Sequence, residues 1–186
     1  EIRGAIDFKL GFRPSLVIND LLFQNAPWAS RPEMVKIRRV EAKILVLPLL
    51  KREIHIARLV LLEPNILLER EKSGKWNFEF ERSEGSSQKS TTSRSFTLPV
   101  MAFHQVQVEK GNVSYREAAT EAVCCVSIDR FTARSEGVES PLFLAFSGSY
   151  KGKPLELLGT VGSFLLLKEA GKGYPVDLVL KASSAQ

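Results

Sequence analysis

The chain has 186 residues and a formal net charge of +5, with 44% hydrophobic and 25% charged residues. This composition excludes a wholly disordered chain, and the length is sufficient for one domain with its own core. No apolar run reaches the roughly 18 residues that a membrane-spanning helix needs.

Apolar and polar residues alternate along most of the chain, which is typical of half-buried strands. In chain order the clearest runs are 40–44, 76–81, 103–108, 142–150 and 176–180. Glycine, proline and asparagine clusters at 63–65, 73–75, 110–112 and 151–153 predict turns between strands. The pattern predicts roughly ten short antiparallel strands.

Helical signals are few and short. Residues 30–33, Ser-Arg-Pro-Glu, fit a capping box with proline in the first turn. One turn is predicted around Pro48, and residues 162–173 predict the best short helix. We therefore expect a mainly β fold with one or two short helices.

Residues 83–95 are rich in serine and threonine, which predicts a flexible loop. Strands of the same kind precede and follow it, so 1–82 and 96–186 are expected to be two β-rich segments of one domain. The chain opens without methionine and ends inside an alternating pattern, which predicts a fragment of a longer protein.

Many strands with one apolar face, and almost no amphipathic helix to cover them, leave two architectures open. Two sheets can close into a sandwich, or one long antiparallel sheet can curl so that its apolar face lines a groove. Periodicity does not choose between them. Residues 63–70 and 110–117 also share a similar order of residue types, a weak internal echo.

No constellation for catalysis, cofactor binding or metal binding is found, so we expect no enzyme. Cys124 and Cys125 are neighbours and would point to opposite faces of a strand, which argues against a disulfide between them. His55 and His104 are isolated in the sequence. Glu69 and Glu71 are expected to be exposed charges at the rim of the sheet.

Two tryptophans, Trp28 and Trp76, are expected to be core anchors rather than sugar-stacking platforms. Basic residues between Arg31 and Arg58 are interleaved with acids, which favours a solvated strand face, with attraction to anionic headgroups as the alternative. The chain has no basic strand with interleaved aromatic residues, so a nucleic acid partner is not indicated.

The stretch from residue 21 to residue 80 closely resembles the N-terminal part of AsmA-family proteins. The resemblance rests on an Asn-Ala-Pro-Trp turn, a Pro-Leu-Leu strand end, an Ile-x-Ile-x-x-Leu strand, a proline turn and a glycine-led closing strand; these are residues 25–28, 48–50, 54–59, 64–69 and 74–78. Later stretches, including 111–118 and 141–163, look like the family's following strands.

The resemblance implies a protein body in the periplasm of a Gram-negative bacterium, held by an inner-membrane anchor that this chain does not include. It also implies a curled β-groove with a role in outer-membrane biogenesis and phospholipid transport, with acyl chains as partners and envelope proteins as further candidate partners. The residues expected to contact lipid are Ile44, Val46, Ile54, Ile56, Ile66, Leu68 and Phe78. The alternative function is an envelope scaffold without a lipid conduit.

Overall fold

The computed structural model describes residues 1–9, 11, 14–49, 54–79, 101–137, 139–163, 166 and 173–182. The predicted 83–95 loop lies outside the described residues, and so does most of the predicted helix at 162–173.

The described strands number ten and form one sheet. Their bounds are β1 Ile6–Lys9, β2 Ser15–Gln24, β3 Glu33–Ile44, β4 Ile54–Arg70, β5 Met101–Phe103, β6 Gln105–Glu117, β7 Ala122–Arg134, β8 Leu142–Tyr150, β9 Lys153–Val161 and β10 Val176–Ala182. One turn of helix, α1 at Val46–Leu49, joins β3 towards β4 and confirms the prediction around Pro48.

The strands follow one another across the sheet in chain order, except that β5 pairs only with β4. All neighbouring pairs are antiparallel apart from β4 with β5 and β4 with β6, which are parallel. The prediction of a long, mainly antiparallel sheet is confirmed, and the parallel junction is an addition that the alternation did not indicate.

Two of the predicted turns are wrong. Residues 63–65 lie inside β4 and residues 110–112 lie inside β6. Both strands continue through these points, where Glu63 and Lys110 have left-handed φ angles of 51° and 53°. The predicted turn at 73–75 is confirmed, and the turn predicted at 151–153 is found at 151–152, since β9 begins at Lys153.

The predicted helical turn at residues 30–33 is also wrong. Residues 27–32 form turns and bends, and Glu33 is already the first residue of β3. Glu33 therefore pairs with Gln24 in the sheet instead of capping a helix. The run from Trp76 to Glu79 is a turn rather than a strand, after one bridge between Arg70 and Trp76.

One face of the sheet, the trough face, is apolar from β2 to β10. Residues that pair directly across strands share a face. The register aligns two continuous rows of them: Leu16, Ala42, Leu59, Val106, Ala133 and Leu144; then Ile18, Val40, Leu61, Val108, Phe131 and Phe146. Residues between these rows carry most of the charges and form the opposite, polar face.

Both faces have buried apolar side chains. On the trough face Ile37, Ala42, Val108, Ala133 and Leu142 are each 9% exposed or less, and on the polar face Leu22 and Leu67 are 5% and 7% exposed. Each described strand packs chiefly against its neighbours in the sheet, so no second described sheet supplies this shielding. The sheet is open rather than closed into a sandwich, and this single open sheet is consistent with the expected curled, groove-like fold.

Candidate functional site: an apolar trough and its rim

In β2, β4 and β6 the alternation of apolar and polar residues shifts by one position, at the same height in the sheet. The trough face stays apolar on both sides of this shift. In β2 the apolar positions run Leu16, Ile18, then Leu21 and Phe23, with two polar residues between Ile18 and Leu21. β4 and β6 shift at Leu62-Glu63 and at Glu109-Lys110. The left-handed residues Asp20, Glu63 and Lys110 stand at these shifts, with φ of 51°, 51° and 53°.

Local geometry shows that the shift keeps one face apolar. A Cβ placed on Gly111 would lie 3.2 Å from Cγ1 of Val108 and 3.0 Å from Cγ of Pro64. Gly111 and Val108 are three residues apart, which in a regular strand would put them on opposite faces. Here they face the same side, so the left-handed residue at Lys110 restores the trough face for the rest of β6.

The charged residues at this level form a transverse row, the crease, on the polar face. Asp20, Arg38, Glu63 and Lys110 lie on adjacent strands and alternate in sign. They line one shallow concavity together with Asn65. Nη1 of Arg38 lies 3.2 Å from Oε1 of Glu63, so neighbouring strands exchange charge across the row.

The polar face is covered at one end by the turn at residues 25–32. Asn77 is fully buried: its Oδ1 accepts from the amide of Glu69 at 2.9 Å, and its Nδ2 donates to Leu67 O at 2.8 Å and to Asn25 Oδ1 at 2.9 Å. The amide of Ser30 donates to Oε2 of Glu69 at 2.9 Å.

The expectation that Glu69 is an exposed rim charge is therefore wrong. Its side chain is 5% exposed because the turn folds over it, and Arg116 compensates its charge at 3.5 Å. Three of the segments that carry the resemblance, 25–28, 64–69 and 74–78, thus meet in one hydrogen-bonded cluster, which fixes the end of the sheet.

Four of the seven residues expected to contact lipid lie on the trough face. Ile66 and Leu68 follow Pro64 at alternate positions of β4, and Ile44 pairs with Ile56 at the other end of the strands. All four are half-buried.

The other three lie at the ends of the strands or beyond them. Val46 is the first residue of α1, and Phe78 lies in the turn after β4 with 47% exposure. Ile54 begins β4 opposite Met101. The trough residues of β6 to β10 were not predicted, although their alternation, once the phase shift is allowed for, carries the signal.

At the ends of β4 and β6 the trough face changes from apolar to aromatic and then to charged. Leu68 pairs with Tyr115, and Arg70 pairs with Glu117. Trp76 lies 5.7 Å from the Tyr115 ring and 5.3 Å from the Phe78 ring, centroid to centroid. We call Arg70, Trp76, Phe78, Tyr115 and Glu117 the rim cluster.

Electrostatics hold the rim cluster in one arrangement. The Arg70 guanidinium lies 5.7 Å from the Trp76 ring centroid, and its Nε donates to Gly74 O at 3.2 Å. The Tyr115 hydroxyl donates to Oε2 of Glu117. This hydrogen bond raises the pKa of Tyr115 above its usual value, so the phenol stays a neutral donor.

The histidines that are isolated in the sequence become neighbours in the structure. The His55 and His104 rings lie 5.8 Å apart because the parallel junction brings β4 beside the start of β6. Within the described part of the chain, no group of three or more His, Cys, Asp or Glu side chains could hold a metal ion. Cys124 and Cys125 are both free thiols.

In the part of the chain that the structure describes, no helix has the length and apolarity to cross a bilayer.

Two comparisons with known proteins agree. The profile of the AsmA family matches residues 1–139. The AsmA family protein YhjG of Escherichia coli (strain K12) is 25% identical over 191 aligned positions, which cover 93% of this chain. The chain spans 27% of that relative's length.

Proposed function

This chain belongs to the AsmA family, and from that premise we propose that its trough face carries phospholipid acyl chains within the periplasm of a Gram-negative envelope. The protein would serve outer-membrane biogenesis and transport of phospholipid between membranes, with an inner-membrane anchor outside this chain. The continuous apolar face from β2 to β10 is the observation that carries the proposal.

The dimensions of the trough suit this role. Neighbouring strands are about 4.8 Å apart, so the eight strands of the main path from β2 to β10 extend about 34 Å across the sheet. One leaflet contributes about half of a hydrocarbon core of roughly 30 Å. The trough is therefore long enough for the acyl chains of one lipid to lie wholly inside it.

The uniformity of the trough favours movement over fixed binding. Burial of each methylene stabilises the bound chain by about 0.8 kcal/mol. Because the successive rows are all apolar, a shift by one strand exchanges one set of such contacts for a similar set. A lipid can then move along the trough without losing its total burial.

Two pairs of adjacent leucines provide a test with matched controls. Leu61 and Leu157 lie on the trough face, whereas Leu62 and Leu158 lie on the polar face of the same strands. Photo-crosslinking residues placed at these four positions in the full-length protein should label lipid at 61 and 157 but not at 62 and 158. Equal labelling at all four positions, or none, would overturn the proposal.

The scaffold function has one observation in its favour. On the polar face, β8 to β10 expose three large apolar side chains: Phe143 at 57%, Leu158 at 65% and Val179 at 57%. Exposed apolar patches of this kind serve as contact surfaces between proteins. Crosslinks from position 158 to a protein, together with no lipid at 61 or 157, would establish the scaffold in place of the conduit.

A further inference from the structure

The rim cluster places opposite charges side by side at the margin of the apolar trough. Nη1 of Arg70 lies 3.9 Å from Oε2 of Glu117, and the two side chains are 45% and 18% exposed. This separation exceeds the 2.7–2.9 Å of a charge-assisted hydrogen bond. The two charges therefore face each other without using their strongest interaction.

The orientation of Arg70 is set by groups other than Glu117. Its Nε donates to Gly74 O, and its plane lies near the Trp76 ring. A guanidinium carries five N–H donors, so this anchoring occupies only part of its capacity. The remaining donors are held in place at the rim.

The aromatic rings mark the boundary between the apolar and wet parts of the face. Tyr115 lies one position inside the Arg70–Glu117 pair on the same face, next to Leu68, and Trp76 packs on it. Tyrosine and tryptophan take this place where an apolar phase meets water, because each has an apolar body and a polar edge. The order apolar, aromatic, charged matches the order of chain, glycerol backbone and headgroup in a phospholipid.

We propose that the rim cluster seats a zwitterionic phospholipid headgroup, in which a phosphate is followed by an ammonium group. Arg70 binds the phosphate, Glu117 binds the ammonium, and Trp76 and Tyr115 flank the region between headgroup and chains. The inference rests on the proposed function, since it needs the acyl chains in the trough. An anionic headgroup without an amine would face the Glu117 carboxylate, which disfavours it.

The test compares lipids that the full-length protein takes from vesicles of phosphatidylethanolamine and phosphatidylglycerol mixed in equal amounts, with recovered lipid quantified by mass spectrometry. Glu117→Gln should lower the ethanolamine-to-glycerol ratio by up to about five-fold, the range of a partly exposed charge pair. Arg70→Gln should lower recovery of both phospholipids relative to added diacylglycerol, and Arg70→Lys should restore part of it.

A second Arg–Glu pair on the polar face provides the control. Nε of Arg39 lies 2.8 Å from Oε1 of Glu41, and the two side chains are 45% and 40% exposed. Arg39→Gln and Glu41→Gln should leave lipid recovery and the ratio unchanged. If they change it as strongly as the rim variants do, the effect is one of net charge and the headgroup seat is wrong.

The outcomes separate the two proposals. Lipid labelling at position 61 with a ratio that Glu117→Gln does not alter overturns the headgroup seat but leaves the trough in place. Absence of labelling at position 61 in the otherwise unchanged protein overturns both. A last measurement compares binding of soluble glycerophosphoethanolamine with binding of the whole lipid. If the soluble compound binds as tightly, the cluster is a site for a soluble metabolite and the lipid assignment is wrong.

Discussion

The strands from β2 to β7, the inner strands, and those from β8 to β10, the outer strands, keep the trough face apolar in different ways. In the first group the apolar positions shift phase at the crease, and the second face is charged. In β8 and β9 the alternation runs without a shift, from Leu144 to Phe146 and from Leu155 to Leu157. Their second face also carries exposed Phe143 and Leu158.

The difference shows how a phase shift that neighbouring strands share can end, because β7 has one more residue than β8 between the pairs Ile128–Gly148 and Arg130–Ser147. β7 is the last strand to shift, and it does so with an irregular register at Ile128 and Arg130 opposite β8. On the other side of that irregularity, Ile128 pairs with Gly148. The outer strands, which have no shift, thus join the inner strands at a glycine, where β8 has no side chain.

The capped end of the inner strands should give the largest effect. Asn77→Leu removes one acceptor and two donated hydrogen bonds from a fully buried position. Leaving buried partners unsatisfied costs about 1–3 kcal/mol each, so we expect a loss of about 3–5 kcal/mol in the free energy of unfolding. Urea denaturation followed by circular dichroism measures it.

Asn112 serves as the control for that substitution. It is an exposed asparagine of β6 whose Oδ1 accepts from the Ser127 hydroxyl at 3.1 Å. Asn112→Leu should change the free energy of unfolding by less than about 1 kcal/mol. A similar loss at both positions would mean that the cap contributes no more than any polar contact on this face.

The junction between inner and outer strands gives the next largest effect. A Cβ on Gly148 would lie 2.1 Å from the carbonyl oxygen of Ser127 and 2.7 Å from Cζ of Phe146. Overpacking of this kind costs about 1–3 kcal/mol. We expect Gly148→Ala to lose about 2–3 kcal/mol, and hydrogen exchange should rise first in β8 to β10.

Gly173→Ala is the matched control, because nothing lies within 4 Å of its added Cβ. It should alter the free energy of unfolding by less than about 0.5 kcal/mol. Uniform loss of exchange protection across β2 to β10 in Gly148→Ala would contradict the division into inner and outer strands.

Alternation was enough to predict the mainly β fold and the approximate number of strands, and the segment that begins at Pro48 predicted the short helix. Prediction from the sequence failed at residues 63–65 and 110–112, because Glu-Pro-Asn and Lys-Gly-Asn are also the residues of ordinary turns. The same residue types therefore accompany a left-handed residue within a strand and one within a turn, and the local sequence does not distinguish them. The weak echo between 63–70 and 110–117 was the better clue, since these segments pair side by side in parallel register.

The trough was partly predictable and the rim cluster was not. Ile66 and Leu68 were predicted from β4 alone, and the same periodicity extends to β6 and β7 once the shift is known. The rim cluster depends on a parallel contact between strands separated by 47 positions, as in the pair of Arg70 with Glu117. No local pattern encodes that partner, and the burial of Glu69 likewise depends on a distant turn.

Glycine at a left-handed position of the crease should raise the free energy of unfolding. Lys110 has a φ of 53°, which strains a side chain with a Cβ but not glycine. We expect Lys110→Gly to raise the free energy of unfolding by about 0.5–1 kcal/mol. Thermal and urea denaturation both measure the change.

Lys36→Gly is the comparison for that gain. Lys36 is an exposed residue of β3, pairing in regular register with Leu22 and Asn65. Glycine in a regular strand lowers stability by about 0.5–1 kcal/mol. Opposite signs for the two substitutions are the expected result, and a loss at both positions would show that the backbone at Lys110 is not strained.

The smallest effect is expected from the charge pair in the crease. Arg38 and Glu63 lie 3.2 Å apart with side chains 61% and 36% exposed. Exposed pairs contribute about 0.2–1 kcal/mol, so a double-mutant cycle of Arg38→Ala and Glu63→Ala should give a coupling in the lower part of that range, weaker in high salt. A coupling well above 1 kcal/mol would mean that the alternating charges hold the phase shift in register. The left-handed backbone, common to Asp20, Glu63 and Lys110, would then be a consequence of the charge row rather than its cause.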